Sequence, residues 1–241
     1  MSRVLVWDFD GTLATRPGHW TGALCEVVTR AYPALGVTPE QLRPHLQRGF
    51  PWHAPDVLRD PCSHDEWWAQ LRPLFADALR AGAGLDGADA WRLAGALRAH
   101  YLDPGAWRLF DDALPVLTRL RERGWRHVVL SNHVPELGGL VETLGLSELL
   151  SAVYCSALIG AEKPHPKAFE AVFADHPEAR GGWMIGDSWR ADVQGARAVG
   201  MRAILVREVH PDAAVRCESL HEVMEVVEGA SDFPTKEGSP C

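Results

Sequence analysis

The first apolar positions come as a block. Val4-Leu5-Val6-Trp7 is an uninterrupted apolar run, and it ends in Asp8-Phe9-Asp10-Gly11-Thr12-Leu13. A short run without alternation predicts a strand buried on both faces, as in a parallel sheet, and Gly11 marks the break after it. From Ala14 to Gly105 the apolar residues fall at helical spacing or in loops, and no strand is predicted. Thr21 to Leu35 carries Leu24, Val27, Val28 and Ala31 on one face. Thr38-Pro39 predicts an N-cap with proline at the first helical position, opening a helix to about Gln47. Ser63-His64-Asp65-Glu66 has the form of a capping box ahead of a helix over Trp67 to Ala81. Ala88 to Leu102 is a further helix, stopped by Asp103-Pro104-Gly105.

Beyond Trp107 short apolar runs alternate with helical segments. Strands are predicted at Trp125 to Leu130, Ala152 to Cys155, Gly182 to Ile185 and Arg202 to Val206. Helices are predicted at Asp111 to Arg123, Val134 to Leu144, Pro166 to Phe173, Asp192 to Val199 and Ser219 to Val227. Alternation of this kind implies βαβ units, right-handed crossovers and a parallel sheet. The fold class expected is α/β: a Rossmann-like parallel-sheet core interrupted after its first strand by about 90 helical residues. The segment from Gly229 to Cys241, rich in Ser, Pro, Gly and charge, is expected to be a disordered tail.

Composition narrows the classes of function. The 241 residues are 46% hydrophobic and 23% charged, which suits an ordinary globular chain. A net charge of -8 gives no basic footprint for nucleic acid or an anionic membrane, so neither partner is expected. The five cysteines form no C-x-x-C pair, which predicts reduced thiols and a cytoplasmic setting. No signal peptide or membrane-spanning stretch is expected.

Paired carboxylates at the end of a buried strand repel each other unless a cation or a shared proton compensates. Asp8 and Asp10 are therefore candidates for chemistry. The second predicted strand ends at Ser131-Asn132, the fourth at Gly186-Asp187-Ser188, and Lys163 follows the third. In a parallel sheet those ends share one edge, where ligands bind. Two carboxylates, a hydroxyl, an ammonium and a further Asp fit phosphoryl transfer. Asp8 could be the nucleophile and Asp10 the general acid and base. Asp8 and Asp187 suit a hard cation such as Mg²⁺. Ser131, Asn132 and Lys163 could hold phosphate oxygens. Simpler readings compete: Ser131 and Asp187 could be N-caps, Lys163 a surface lysine, and Asp192 an acid favoured by a helix dipole.

Asp8-Phe9-Asp10-Gly11-Thr12-Leu13, Ser131, Lys163 and Gly186-Asp187-Ser188-Trp189-Arg190-Ala191-Asp192 resemble, in order, the four motifs of the haloacid dehalogenase superfamily, in its phosphatase form. The resemblance covers about residues 3 to 228. It implies a core over residues 1–14 and 106–228 and a helical C1 cap over 15–105. It implies Asp8 as nucleophile and metal ligand, Asp10 as acid/base that also binds metal, Asp187 as metal ligand, and Asp192 behind them, positioning Lys163 or Ser188. The implied reaction is Mg²⁺-dependent hydrolysis of a small phosphorylated metabolite through an aspartyl-phosphate. A phosphomutase would share every core motif. A dehalogenase would need neither metal nor Asp10, and a non-catalytic binding module would not need the full set.

Arg16, His19 and Trp20 follow the first motif and could contact the leaving group. The loop Gly49 to His53 could line the pocket, Trp67 and Trp91 are expected between helices, and His127 is expected as a satisfied core histidine. His133 has no assigned role, and the insertion carries no substrate signature.

Overall fold

The computed structural model describes residues 3–229. Strand β1 (Arg3–Trp7) leads into a two-residue strand β2 (Ala14–Thr15), then helices α1 (His19–Ala31), α2 (Pro39–Leu42), α3 (His64–Ala83) and α4 (Gly87–Tyr101). The chain returns through β3 (Arg108–Leu109), α5 (Ala113–Glu122), β4 (Trp125–Ser131), α6 (Leu137–Thr143), β5 (Leu150–Cys155), α7 (Ser156–Ile159) and α8 (Pro166–Asp175). It ends in β6 (Trp183–Gly186), α9 (Gly195–Ala198), β7 (Arg202–Val206), β8 (Arg216–Cys217) and α10 (Leu220–Gly229).

Six strands form one parallel sheet in the order β5-β4-β1-β6-β7-β8. The order reverses on either side of β1, so β1 is central and its carboxyl end lies at the switch point where such sheets bind ligands. Alternation along β1 divides the core. Val4 and Val6 face α8 and α9, while Leu5 and Trp7 face α5, α6 and α10. The second face does not stop at the sheet. Phe9, Leu13, Trp107 and Tyr101 carry it without a break into the packing of α1, α3 and α4. This is the Rossmann-like α/β class that the strand and helix pattern predicts.

Several elements depart from expectation. A strand does occur between Ala14 and Gly105: β2 pairs antiparallel with β3, so a short ribbon joins the two crossings between the sheet and the helical insertion. Two residues are too few to leave a period in the sequence. The helix expected to Leu35 ends at Ala31, because Pro33 takes Tyr32 out of the helical region (φ -138°, ψ 71°). The segment expected as a helix from Asp192 starts earlier, as a π-helical turn over Trp189–Gln194. Gly229 closes α10 instead of opening a tail, and the rest of the tail expectation, residues 230–241, lies outside the described residues. Trp67 is buried as expected, but Trp91 is 46% exposed, with the Arg72 guanidinium over its ring at 4.4 Å. Among the described residues no helix is long and apolar enough to cross a membrane.

Candidate active site

Asp8 stands one residue beyond β1, where its main-chain N–H still donates to the Ile185 carbonyl of β6 at 2.8 Å. The ladder thus fixes the nucleophile candidate before any side chain acts. Lys163 Nζ donates to Asp8 Oδ1 at 2.9 Å and to Asp192 Oδ1 at 2.6 Å. All three side chains are buried. The second Asp8 oxygen has no partner among the described residues. Burial alone would lower the Lys163 ammonium, but the Asp192 and Asp8 carboxylates more than reverse it, and Lys163 stays charged.

Asp192 also accepts from the Ser188 main-chain N–H at 2.9 Å, so it ties the loop after β6 to the lysine. Ser188 in turn accepts from Ala191 N–H at 3.1 Å and opens the π turn. A Cβ at Gly186 would collide with Asp192 Oδ2, so only glycine allows that approach. Asp187 N–H donates to Thr12 Oγ1 at 3.1 Å, which links the first and last loops. Gly11, at φ 82°, is similarly required: a Cβ there would strike Asp187 Oδ2. Asn132 exchanges two hydrogen bonds with the Lys163 main chain, Nδ2 to O at 2.9 Å and N to Oδ1 at 2.7 Å. The Asn132 side-chain amide is thus committed to placing Lys163, while the residue itself lines the cavity as expected of a phosphate-binding candidate. Ser131, at the end of β4, lines the same cavity.

Asp8, Asp187 and Asp192 bring carboxylate oxygens within 4.8 Å of one another. Asp187 is pushed up to about 8, first by burial and then by the charges of Asp8, Asp192 and Asp10. Asp192 is pushed up to about 6 by burial, although Lys163 opposes this. One ammonium does not balance four carboxylates. Oδ1 of Asp10 is buried without a partner. An all-oxygen donor set with surplus negative charge fits a hard divalent cation. Asp192 has both oxygens engaged, which leaves Asp8 and Asp187 as the open carboxylates.

Of the three residues expected near the leaving group, two line the cavity. His19 Nδ1 lies 3.2 Å from Asp10 Oδ2, and that hydrogen bond raises the imidazole above its usual range despite partial burial. Its backbone is left-handed, at φ 46°. Trp20 stacks on Tyr101 with centroids 3.8 Å apart and planes at 9°. Arg16 is a correction. Its side chain is fully buried and does not line the cavity, donating to the carbonyls of Pro17 (3.4 Å), His19 (3.2 Å) and His100 (3.2 Å) and to Glu26 (2.5 Å). Arg16 holds the strained His19 turn against the end of α4 and cannot reach a substrate.

Four cavity residues carried no firm sequence signal. Tyr101 ends α4, and its hydroxyl has no hydrogen-bond partner among the described residues. Trp52 comes from the loop expected to line the pocket. Arg190 is exposed at the start of the π turn. His133 is buried, edge-on to Phe9 at 5.5 Å, and burial lowers its pKa against the pull of Asp10. His127 is the satisfied core histidine expected: Trp7 Nε1 donates to its Nδ1 at 3.1 Å, and its Nε2 faces the Leu117 carbonyl at 3.0 Å.

Comparison with known proteins identifies the family. The model of the haloacid dehalogenase-like hydrolase family matches residues 3–200. Haloacid dehalogenase-like hydrolase domain-containing protein 3 of Bos taurus is 32% identical, over 89% of this chain and 86% of that protein. A glyceraldehyde 3-phosphate phosphatase of Pyrococcus abyssi is 29% identical, over 85% of this chain and 81% of that protein. The magnesium-bound hydrolase YfnB of Bacillus subtilis superposes with a TM-score of 0.72 at 20% identity, over 93% of this chain and 98% of that one. Sequence, motif order and fold all place this chain within the haloacid dehalogenase-like hydrolase family.

Proposed function

We propose that this chain hydrolyses phosphomonoesters through an aspartyl-phosphate, an acyl phosphate on Asp8, with Mg²⁺ bound by Asp8, Asp187 and Asp10. The observation that carries the reading is the Lys163 ammonium held between Asp8 and Asp192 beside an uncompensated Asp187. Such a site binds an anion at one end and a cation at the other. Names among its relatives, including a glyceraldehyde 3-phosphate phosphatase and a phosphoserine phosphatase, support a phosphomonoesterase.

The free Asp8 oxygen attacks phosphorus as the bond to the leaving oxygen breaks, and Asp10 gives that oxygen a proton. Asp10 then takes a proton from water as the water oxygen bonds to phosphorus and the Asp8 O–P bond of the acyl phosphate breaks. Inorganic phosphate leaves, and Asp8 and Asp10 return to their starting states. Lys163 and Ser131 bind phosphate oxygens, while Asn132 and Asp192 place Lys163. His19 orients Asp10. The divalent cation, when bound, screens the carboxylates and draws charge from a phosphate oxygen. Residues 15–105 act as a cap, hinged at the β2–β3 ribbon, that excludes water and contacts the leaving group.

With Mg²⁺ the protein should release phosphate from p-nitrophenyl phosphate. EDTA or Asp8→Asn should abolish release. Turnover that survives either treatment contradicts the mechanism.

A further inference from the structure

The phosphoryl half of the cavity has its partners assigned, but the other half is lined by rings. The cavity holds about 350 Å³. That is at the small end for a ligand site, so beside a phosphate there is space for about one ring. Trp20, Trp52, Tyr101 and His133 line it together with the aspartates. Trp20 stacks on Tyr101 at 3.8 Å, and Trp52 lies 6.1 Å from Trp20 with planes 28° apart. Phe50 backs Trp52 from one side at 4.7 Å and 9°. Trp20 and Trp52 are only half-buried, so indole surface remains open to the cavity.

The charges select further. Asp8, Asp10 and Asp187 are the acids of the lining, and all three are committed to phosphorus, proton or cation. No other carboxylate among the described residues lines the cavity to meet an ammonium or to accept from sugar hydroxyls. Arg190 and the Tyr101 hydroxyl, both without partners among the described residues, add donors. A flat ring with acceptor atoms satisfies such a wall, by stacking on the indoles and accepting from these donors.

We infer that the leaving alcohol carries a single planar aromatic or heteroaromatic ring, which packs against Trp52 and Trp20 while its phosphate faces Asp8. The inference rests on the phosphatase reading. Its test compares benzyl phosphate with cyclohexylmethyl phosphate, which match in charge and reach and differ in the ring, and with glucose 6-phosphate. Ring stacking predicts a kcat/KM for benzyl phosphate at least about tenfold above that for the other two. Trp52→Leu should bring the benzyl to cyclohexylmethyl ratio close to one, while Trp91→Leu, outside the cavity, leaves it unchanged. Benzylphosphonate should inhibit the wild-type protein at least about fivefold more tightly than cyclohexylmethylphosphonate, a readout that needs no variant to fold. Equal efficiencies, a faster glucose 6-phosphate, or an unchanged ratio in folded Trp52→Leu would each overturn the ring preference and leave the phosphatase reading intact. Failure to hydrolyse any of the three, with p-nitrophenyl phosphate also untouched, would overturn both.

Discussion

Around Asp8 the Lys163 and Asp192 side chains are fixed by named polar partners, whereas the rings lining the cavity are fixed mainly by one another. Lys163 has two carboxylates, and Asn132 and Asp192 hold the loops on either side of it. Trp20 touches Phe50, Trp52, Trp68, Phe75 and Tyr101. The first arrangement is poorly optimised for stability, since burial and mutual repulsion lift Asp187 to about 8 and Asp192 to about 6. The second is an ordinary well-packed core that opens on a cavity. Charge placed at a cost and rings placed at a gain should therefore respond to substitution in opposite ways.

The largest effect falls on the nucleophile. Asp8→Asn should lower phosphate release by about 10⁴ or more, because no other group can form the covalent bond. Asp192→Asn comes next. It frees Lys163 while relieving a buried charge, so kcat/KM should fall about 100-fold with thermal stability kept or raised. Trp20→Leu should show the reverse: about 2 kcal/mol less stability in urea, with kcat/KM on p-nitrophenyl phosphate within about tenfold of wild type. If Asp192→Asn unfolds the protein, or Trp20→Leu removes activity without loss of stability, the contrast fails.

Arg16 joins the two regions. Its guanidinium ties the His19 turn, hence Asp10, to the carbonyl of His100 beside Tyr101. Arg16→Leu should cost about 2 kcal/mol and also lower kcat, a combination that neither region gives alone. A last effect, in stability alone, concerns the buried His127 between Trp7 and Leu117. His127 is lowered to about 4, chiefly by burial. Its folded form disfavours the proton, so its contribution is whole above the ordinary value of about 6.5 and is lost as pH falls toward 4. Between pH 7 and 5 this amounts to about 2 kcal/mol, measured as the difference in pH dependence between wild type and His127→Phe.

Much of the charged region was legible in the sequence. Apolar runs that stop at polar residues locate strand ends, and parallel topology gathers those ends on one edge, so Asp8, Ser131, Lys163 and Asp187 needed no distances. What stayed hidden depends on direction. Arg16 and His19 are three residues apart, and only the left-handed backbone at Gly18 and His19 sends one inward to carbonyls and the other toward Asp10. Asn132 had a hydrogen-bonding side chain in the right place, but the sequence does not reveal that the main chain of Lys163 claims it. Trp52 lies in the loop that the sequence already offered to the pocket, but Tyr101 sits in a helix, where helical spacing marks it as core without showing that the core opens on a cavity. The π turn at Trp189–Gln194 and the two-residue strands are too short to leave a period.

The most direct measurement is to trap phosphate on the nucleophile. The protein is mixed with Mg²⁺ and excess p-nitrophenyl phosphate, quenched in acid within the first turnovers, and digested for peptide mass analysis. An acyl phosphate on the peptide containing Asp8, absent in Asp8→Asn and absent when EDTA precedes substrate, is the predicted result. Turnover with that peptide unmodified, or phosphate found on another residue, would contradict covalent catalysis by Asp8.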